Sequence, residues 1–229
     1  MQSQDPPPQS PLVISYLSLR KAIGFIGLGL PFVLVIGKML LNGLGIQGSI
    51  SDYYYTSMRN VFVGSLCAIG IFLISYRGFD KRDRIAGALA CLFAVGVALF
   101  PTRPGVDFTE AQKWIGRVHL TFAACLFLTL AYFSLALFRR TAPDRTMTLQ
   151  KKQRNGVYTV CGYTILACIA LIVLCELLFL NDYSPYPNTG IQNLDPVFWF
   201  ESIAVVSFGV SWLTKGEAIL ADPDTPFAL

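Results

Sequence analysis

Apolar residues in this chain run in long stretches, with polar residues gathered between them. Six stretches stand out: Ala22–Leu41, Ser57–Tyr76, Ile85–Pro104, His119–Phe138, Gly156–Leu180 and Pro196–Leu213. Each meets or approaches the roughly 20 residues that an α-helix needs to cross a bilayer core. None alternates apolar and polar over ~10 residues, as the strands of a membrane barrel would. A helix also satisfies every backbone N–H within its own segment, which lipid demands. The pattern therefore predicts an all-α polytopic membrane protein, a bundle of six transmembrane helices over residues 22–214. Residues 1–21, opening MQSQDPPPQSPL, read as a disordered Pro-rich tail, and residues 215–229 as a second short tail. The first apolar stretch follows Arg20 and Lys21 and is too long for a cleaved signal, so it reads as an uncleaved anchor.

Composition agrees. Of 229 residues, 54% are hydrophobic and 14% charged, against about 25% charged in a soluble domain. Mean hydropathy is +0.54. These values exclude a disordered chain and a disulfide-stapled mini-protein. The net charge is +4, but the bases lie in short clusters between apolar runs, so no nucleic-acid face is expected. Their distribution carries orientation instead. Thirteen of the 18 Lys and Arg fall in the first tail, the second and fourth connections and the last tail. The positive-inside rule then predicts both termini in the cytoplasm. Tyr53, Tyr54, Tyr55, Trp114 and Trp199 fall near the outer edge, where amphipathic rings settle.

The ionisable residues inside the apolar stretches point to chemistry. Counting outward from the cytoplasmic bases at 1.5 Å per residue puts Lys38, Arg59, His119, Glu176 and Glu201 all in the outer half. Glu201 is the deepest, about 9 Å in, and its short side chain cannot reach water easily. It calls for a cation or donor, and Lys38, Arg59 and His119 lie at matching depth. The first outer loop adds Ser51, Asp52 and Tyr54, and the third-helix exit adds Arg103. The fifth connection, NDYSPYPNTGIQNLDP, on the outer side, is long enough to cap the bundle mouth. These nine residues outline an outward-facing polar pocket that would bind a lipid headgroup or a small polar ligand. The alternative is a membrane-embedded enzyme acting on a lipid, with His119 and Glu201 as acid and base. The plainer reading of each residue is a structural ion pair or a snorkelling helix end.

Other chemistries fail on residue inventory. One histidine cannot build a three-histidine zinc site and argues against a b-type haem, so no metal or cofactor is expected. No nucleotide or hydrolase motif is present, and no catalytic residue is assigned. All six cysteines sit inside apolar runs, as soft packing residues do. Small residues recur at helical spacing, as at Gly64/Ala68 and Ala90/Ala94/Ala98. Such faces serve close packing within one bundle or a homo-oligomer. Membrane lipids are the expected partners.

The runs SISDYYYTSMRNVFVGSLCAIGIFLISYRGFD, VALFPT, VHLTFAA and FWFESIAVVSFGVSWLTKGE carry a resemblance. From about Gly24 to Ala218 the chain resembles a widespread group of uncharacterised bacterial six-helix membrane proteins. It is also similar to the damage-regulated autophagy modulator (DRAM-like) six-helix family. There too a polar outer loop precedes the second helix and a histidine opens the fourth. The first resemblance implies a bacterial inner-membrane location and transfers no activity.

Overall fold

In the computed structural model, residues 11–76, 80–105, 107–141, 147–180 and 190–221 are described. They form six long helices and no strand. The helices are α1 (Pro11–Asn42), α2 (Arg59–Ile74), α3 (Lys81–Leu99), α4 (Glu110–Tyr132), α5 (Leu149–Cys175) and α6 (Pro196–Lys215). Short 3₁₀ turns cover Ser51–Tyr55 and Ile191–Leu194, and π-helical turns extend α4 over Phe133–Leu137 and α5 over Glu176–Leu180. The first ten residues, Arg77, Arg145, most of the α5–α6 connection and the last eight residues lie outside the described residues.

Helix starts follow capping chemistry more than hydropathy. Asp80 accepts from the Arg82 N–H at 2.9 Å, and Asp83 reaches back to the Asp80 N–H at 3.2 Å. This reciprocal capping box starts α3 four residues before its apolar run. Thr109 and Gln112 form the same box at 3.2 and 2.8 Å, so α4 begins well ahead of His119. His119 is therefore in the third turn of its helix, not at its opening. Thr148 caps α5 through the Lys151 N–H at 3.1 Å. Pro101 follows the end of α3, and Pro196 opens α6, where its missing N–H costs nothing. α1 is helical from Pro11, eleven residues before the apolar stretch begins.

Four segments are long and apolar enough to cross a membrane: Tyr16–Asn42, Glu110–Leu137, Leu149–Leu178 and Pro196–Lys215. They mark a membrane-embedded protein. α2 is apolar but shorter, 16 residues, or about 24 Å. α3 opens on Lys81, Arg82, Asp83 and Arg84, which lowers its hydropathy.

Each helix packs on its neighbours in sequence, and α6 returns to α1, so the six close into a ring. α4 also meets α6 across the interior, where the Ser134 and Ser211 hydroxyls lie 2.8 Å apart. The closing contact depends on glycine. A Cβ on Gly209 would sit 2.5 Å from the Leu28 nitrogen and 2.8 Å from the Gly24 oxygen. Ala90, Ala94 and Ala98 are buried between helices, so that small-residue face serves the bundle interior. Gly64 is different: it is exposed, and a Cβ added there would meet nothing within 4 Å.

The base-rich end is tightly sealed. Tyr76, Phe133, Phe138, Tyr158 and Trp212 are buried there, and ring centroids stand 5.1–6.2 Å apart. Around them the loop bases make bonds beyond any role in orientation. Arg140 bridges Asp80 at 2.7 Å and Asp83 at 3.2 Å, joining α4 to the start of α3. Arg154 on α5 reaches Glu217 at 3.6 Å and donates to the Leu220 carbonyl at 2.8 Å. Arg20 lies 4.2 Å from the Tyr16 ring centroid and donates to the Lys215 carbonyl.

Candidate functional site: a two-signed cavity at the end opposite the basic loops

A cavity of about 510 Å³ opens at the other end of the ring. Its walls come from the α1–α2 loop, the α3–α4 connection, α4, the end of α5 and the start of α6. Six of the nine residues singled out from the sequence line it: Ser51, Asp52, Arg103, His119, Glu176 and Glu201. Lys38, Arg59 and Tyr54 do not.

Those three are employed elsewhere, for reasons the spacing could not reveal. The Lys38 ammonium donates to the Gly43, Leu44 and Gly45 carbonyls, each at 3.1 Å. It folds over the end of α1 and satisfies carbonyls beyond the helical ladder, which suits a cation at a helix C-terminus. Arg59 lies 4.3 Å from the Tyr54 ring centroid and donates to its hydroxyl at 2.6 Å, on the exposed surface. The expected pairing of Glu201 with Lys38 or Arg59 is therefore corrected.

Glu201 instead takes its donors from the backbone. The Ile50 N–H donates to Glu201 Oε2 at 2.7 Å, and the Ser51 amide also bonds it. These amides open the Ser51–Tyr55 turn, so the carboxylate acts as a cap supplied from another helix. The Phe198 N–H donates to the Gly48 carbonyl at 3.0 Å and holds the same loop against α6. Below Glu201 and Ser51 the wall becomes apolar, with Leu30, Phe62, Leu66 and Phe208 around a void of about 50 Å³. Glu201 thus marks the floor of the polar space.

His119 is buried, with Nδ1 2.6 Å from the Phe100 carbonyl oxygen. A carbonyl only accepts, so Nδ1 carries the proton. Phe100 is the C-terminal cap residue of α3, and its carbonyl lies past the last ladder bond. His119 therefore ties α4 to the end of α3 while its ring lines the cavity.

Both signs of charge line the cavity. Arg103, Lys113 and Arg117 come from α4 and the loop before it. Arg103 and Arg117 lie over aromatic rings, 4.5 Å from Phe108 and 4.6 Å from Trp114. Lys113 stands 3.9 Å from Glu110. Gly116 lets this wall assemble, since a Cβ there would lie 2.9 Å from the Arg103 nitrogen. The lining also carries four neighbouring carboxyls, Asp52, Glu176, Asp195 and Glu201. Arg103 is in electrostatic range of Glu176. Burial pushes the Asp52 carboxyl above the ordinary carboxylate range, opposed by hydrogen bonds from Ser49 and reinforced by nearby Asp195. Burial raises Asp195 as well. Among the described residues, no group of three or more His, Cys, Asp or Glu could hold a metal ion.

Lys113, Arg117 and Asp195 are wall residues that the sequence reading did not single out. Thr109 and Gln112 form a capping-box pair three residues apart, a signal that would have started α4 early. Lys113 and Arg117 then share one helix face at i, i+4. No family model, curated protein or solved structure matches the chain.

Proposed function

We propose that this chain is a six-pass protein of the bacterial inner membrane, with both termini cytoplasmic, whose outer cavity binds a small polar ligand or lipid headgroup carrying both signs of charge. One observation carries the reading: residues spread over the sequence from Ser51 to Glu201 line a single cavity with basic and acidic groups. A volume of about 510 Å³ falls within the range of small-ligand pockets, ~300–1,000 Å³. A lining of both signs favours a zwitterion over a simple anion or cation. A phosphate would face Arg103, Lys113 and Arg117, and an ammonium would face the carboxylates. In the enzyme alternative the base would be His119 Nε2, since Nδ1–H is held by the Phe100 carbonyl; the lining of both charge signs supports binding instead.

The six-pass topology is supported by the closed ring, in which α2 and α3 stand between α1 and α4. It is also supported by the gathering of thirteen bases on one set of connections. The bacterial location rests on the resemblance to bacterial six-helix proteins.

Purified protein melted with phosphoethanolamine, ethanolamine or inorganic phosphate tests the cavity. Phosphoethanolamine is expected to raise the melting temperature most, and Arg117→Gln or Asp52→Asn to reduce that gain. Equal or absent shifts with all three compounds refute a two-signed site. For topology, Thr109→Cys should react with an impermeant maleimide in intact cells, and Gln150→Cys only after permeabilisation. The reverse pattern refutes the orientation.

A further inference from the structure

A second groove lies on the outer surface of the ring, between α3 and α4, at the base-rich end. Its volume is about 370 Å³. Arg82, Ile85 and Leu89 line it from α3, and Leu128 and Tyr132 from α4. Positions 82, 85 and 89 follow helical spacing, so they form one stripe. The buried Ala86 sets the floor and is small enough to leave the space open. Ile85, Leu89, Leu128 and Tyr132 are all exposed, between 41% and 57%. In a membrane-embedded bundle such a surface faces acyl chains.

Arg82 gives the groove a polar end. It is the second residue of α3, at the membrane-surface end, and Leu89 lies about 10 Å deeper along the axis. Its guanidinium has no partner among the described residues. The neighbouring Arg140, by contrast, is bonded to Asp80 and Asp83. Those two carboxylates are thereby engaged and do not cancel Arg82. Tyr132 sits at the same level, beside Arg140, where an amphipathic ring meets a headgroup layer.

We propose that this groove holds one anionic phospholipid of the base-rich leaflet, its phosphate on Arg82 and an acyl chain along Ile85, Leu89 and Leu128. Basic pockets between membrane helices on the cytoplasmic side recognise such headgroups. The site is separate from the outer cavity, and either can fail without the other.

The test uses the full chain in nanodiscs of phosphatidylcholine with phosphatidylglycerol, followed by native mass spectrometry of retained lipid. Phosphatidylglycerol is expected to be retained above its bulk fraction. Arg82→Gln should cut that preference about fivefold, corresponding to the ~1 kcal/mol a base contributes near a membrane surface. Ile85→Trp should fill the groove and displace lipid of either kind. Arg84→Gln, an exposed base of the same helix turn outside the groove, should leave the preference intact. All three positions are exposed, and an unchanged melting temperature verifies that each variant folds. Retention at the bulk ratio in the parent protein overturns the proposal. Equal losses in Arg82→Gln and Arg84→Gln also overturn it, because they indicate diffuse surface attraction.

Discussion

Replacing Gly209 with alanine tests the closure of the ring, on which the cavity depends. The added methyl would stand 2.5 Å from the Leu28 nitrogen, 2.8 Å from the Gly24 oxygen and 2.9 Å from the Leu28 Cα. Ordinary carbon contacts fall near 3.5–4.0 Å, so the overlap is roughly 1 Å. All three obstacles are backbone atoms of α1, and no rotamer change relieves them. The two helices must part along their crossing. Overpacking of this kind costs ~1–3 kcal/mol, and an obstacle of backbone puts Gly209→Ala toward the upper end. At ~2–4 °C per kcal/mol for a chain of this size, the melting temperature should fall by roughly 4–12 °C. The assay is a thermal melt in detergent followed by fluorescence-detected size exclusion. Gly64→Ala is the control, since Gly64 is exposed and has nothing within 4 Å. There alanine is the better helix former by ~0.5–1 kcal/mol, and the melt should hold or rise. Equal melts for Gly209→Ala and the parent protein would mean that α1 and α6 do not meet at this crossing, and the ring would have to be redrawn.

Glu201→Leu leaves the Ile50 and Ser51 amides without their acceptor and should cost ~2–4 kcal/mol, whereas Glu201→Gln keeps an oxygen there and should cost ~1 kcal/mol. Chemical or thermal melts that rank them in the opposite order would contradict the capping role. Lys38→Met removes three bonds to carbonyls and should destabilise by ~1–2 kcal/mol. It should leave the phosphoethanolamine-induced shift in melting temperature unchanged, and loss of that shift would return Lys38 to the site. Arg140 holds the Asp80 carboxyl down at about 2. A depressed acid stabilises the fold above its ordinary value near 3.8 and loses that contribution as pH falls from there through about 2. Acid melts of the parent protein should steepen across that window relative to Arg140→Gln, and parallel curves would remove the pair from the stability of this end.

Much of the architecture was legible because bilayer physics acts on local composition. Long apolar runs, the gathering of bases on alternate connections and the predicted depth of Glu201 all rest on the energy of placing each group in or beside hydrocarbon. Helix boundaries were less legible. The starts of α3 and α4 lie in polar sequence, where side-chain caps rather than hydropathy decide, as Asp80 with Asp83 and Thr109 with Gln112 demonstrate. The site was legible in part for the same reason. Costly residues at one predicted depth point to Glu201, His119 and Glu176, and the polar loops beside them add Ser51, Asp52 and Arg103; all six line one cavity. Lys38 and Arg59 are predicted at the same depth, but their long side chains turn to nearby carbonyls and to a tyrosine ring.

The sequence by itself determined a helical chain apolar enough to embed in a membrane and the position of each charged group along its own helix, since both are properties of each segment alone. The tertiary structure alone decided how the helices stand around the ring. That order brings Lys113, Arg117, Asp52 and Glu201 to one cavity, gives Glu201 two backbone amides in place of a cation, and leaves the groove beside Arg82 open. Depth is a property of one helix, whereas azimuth and partnership depend on contacts between helices distant in sequence, such as Gly209 against Leu28.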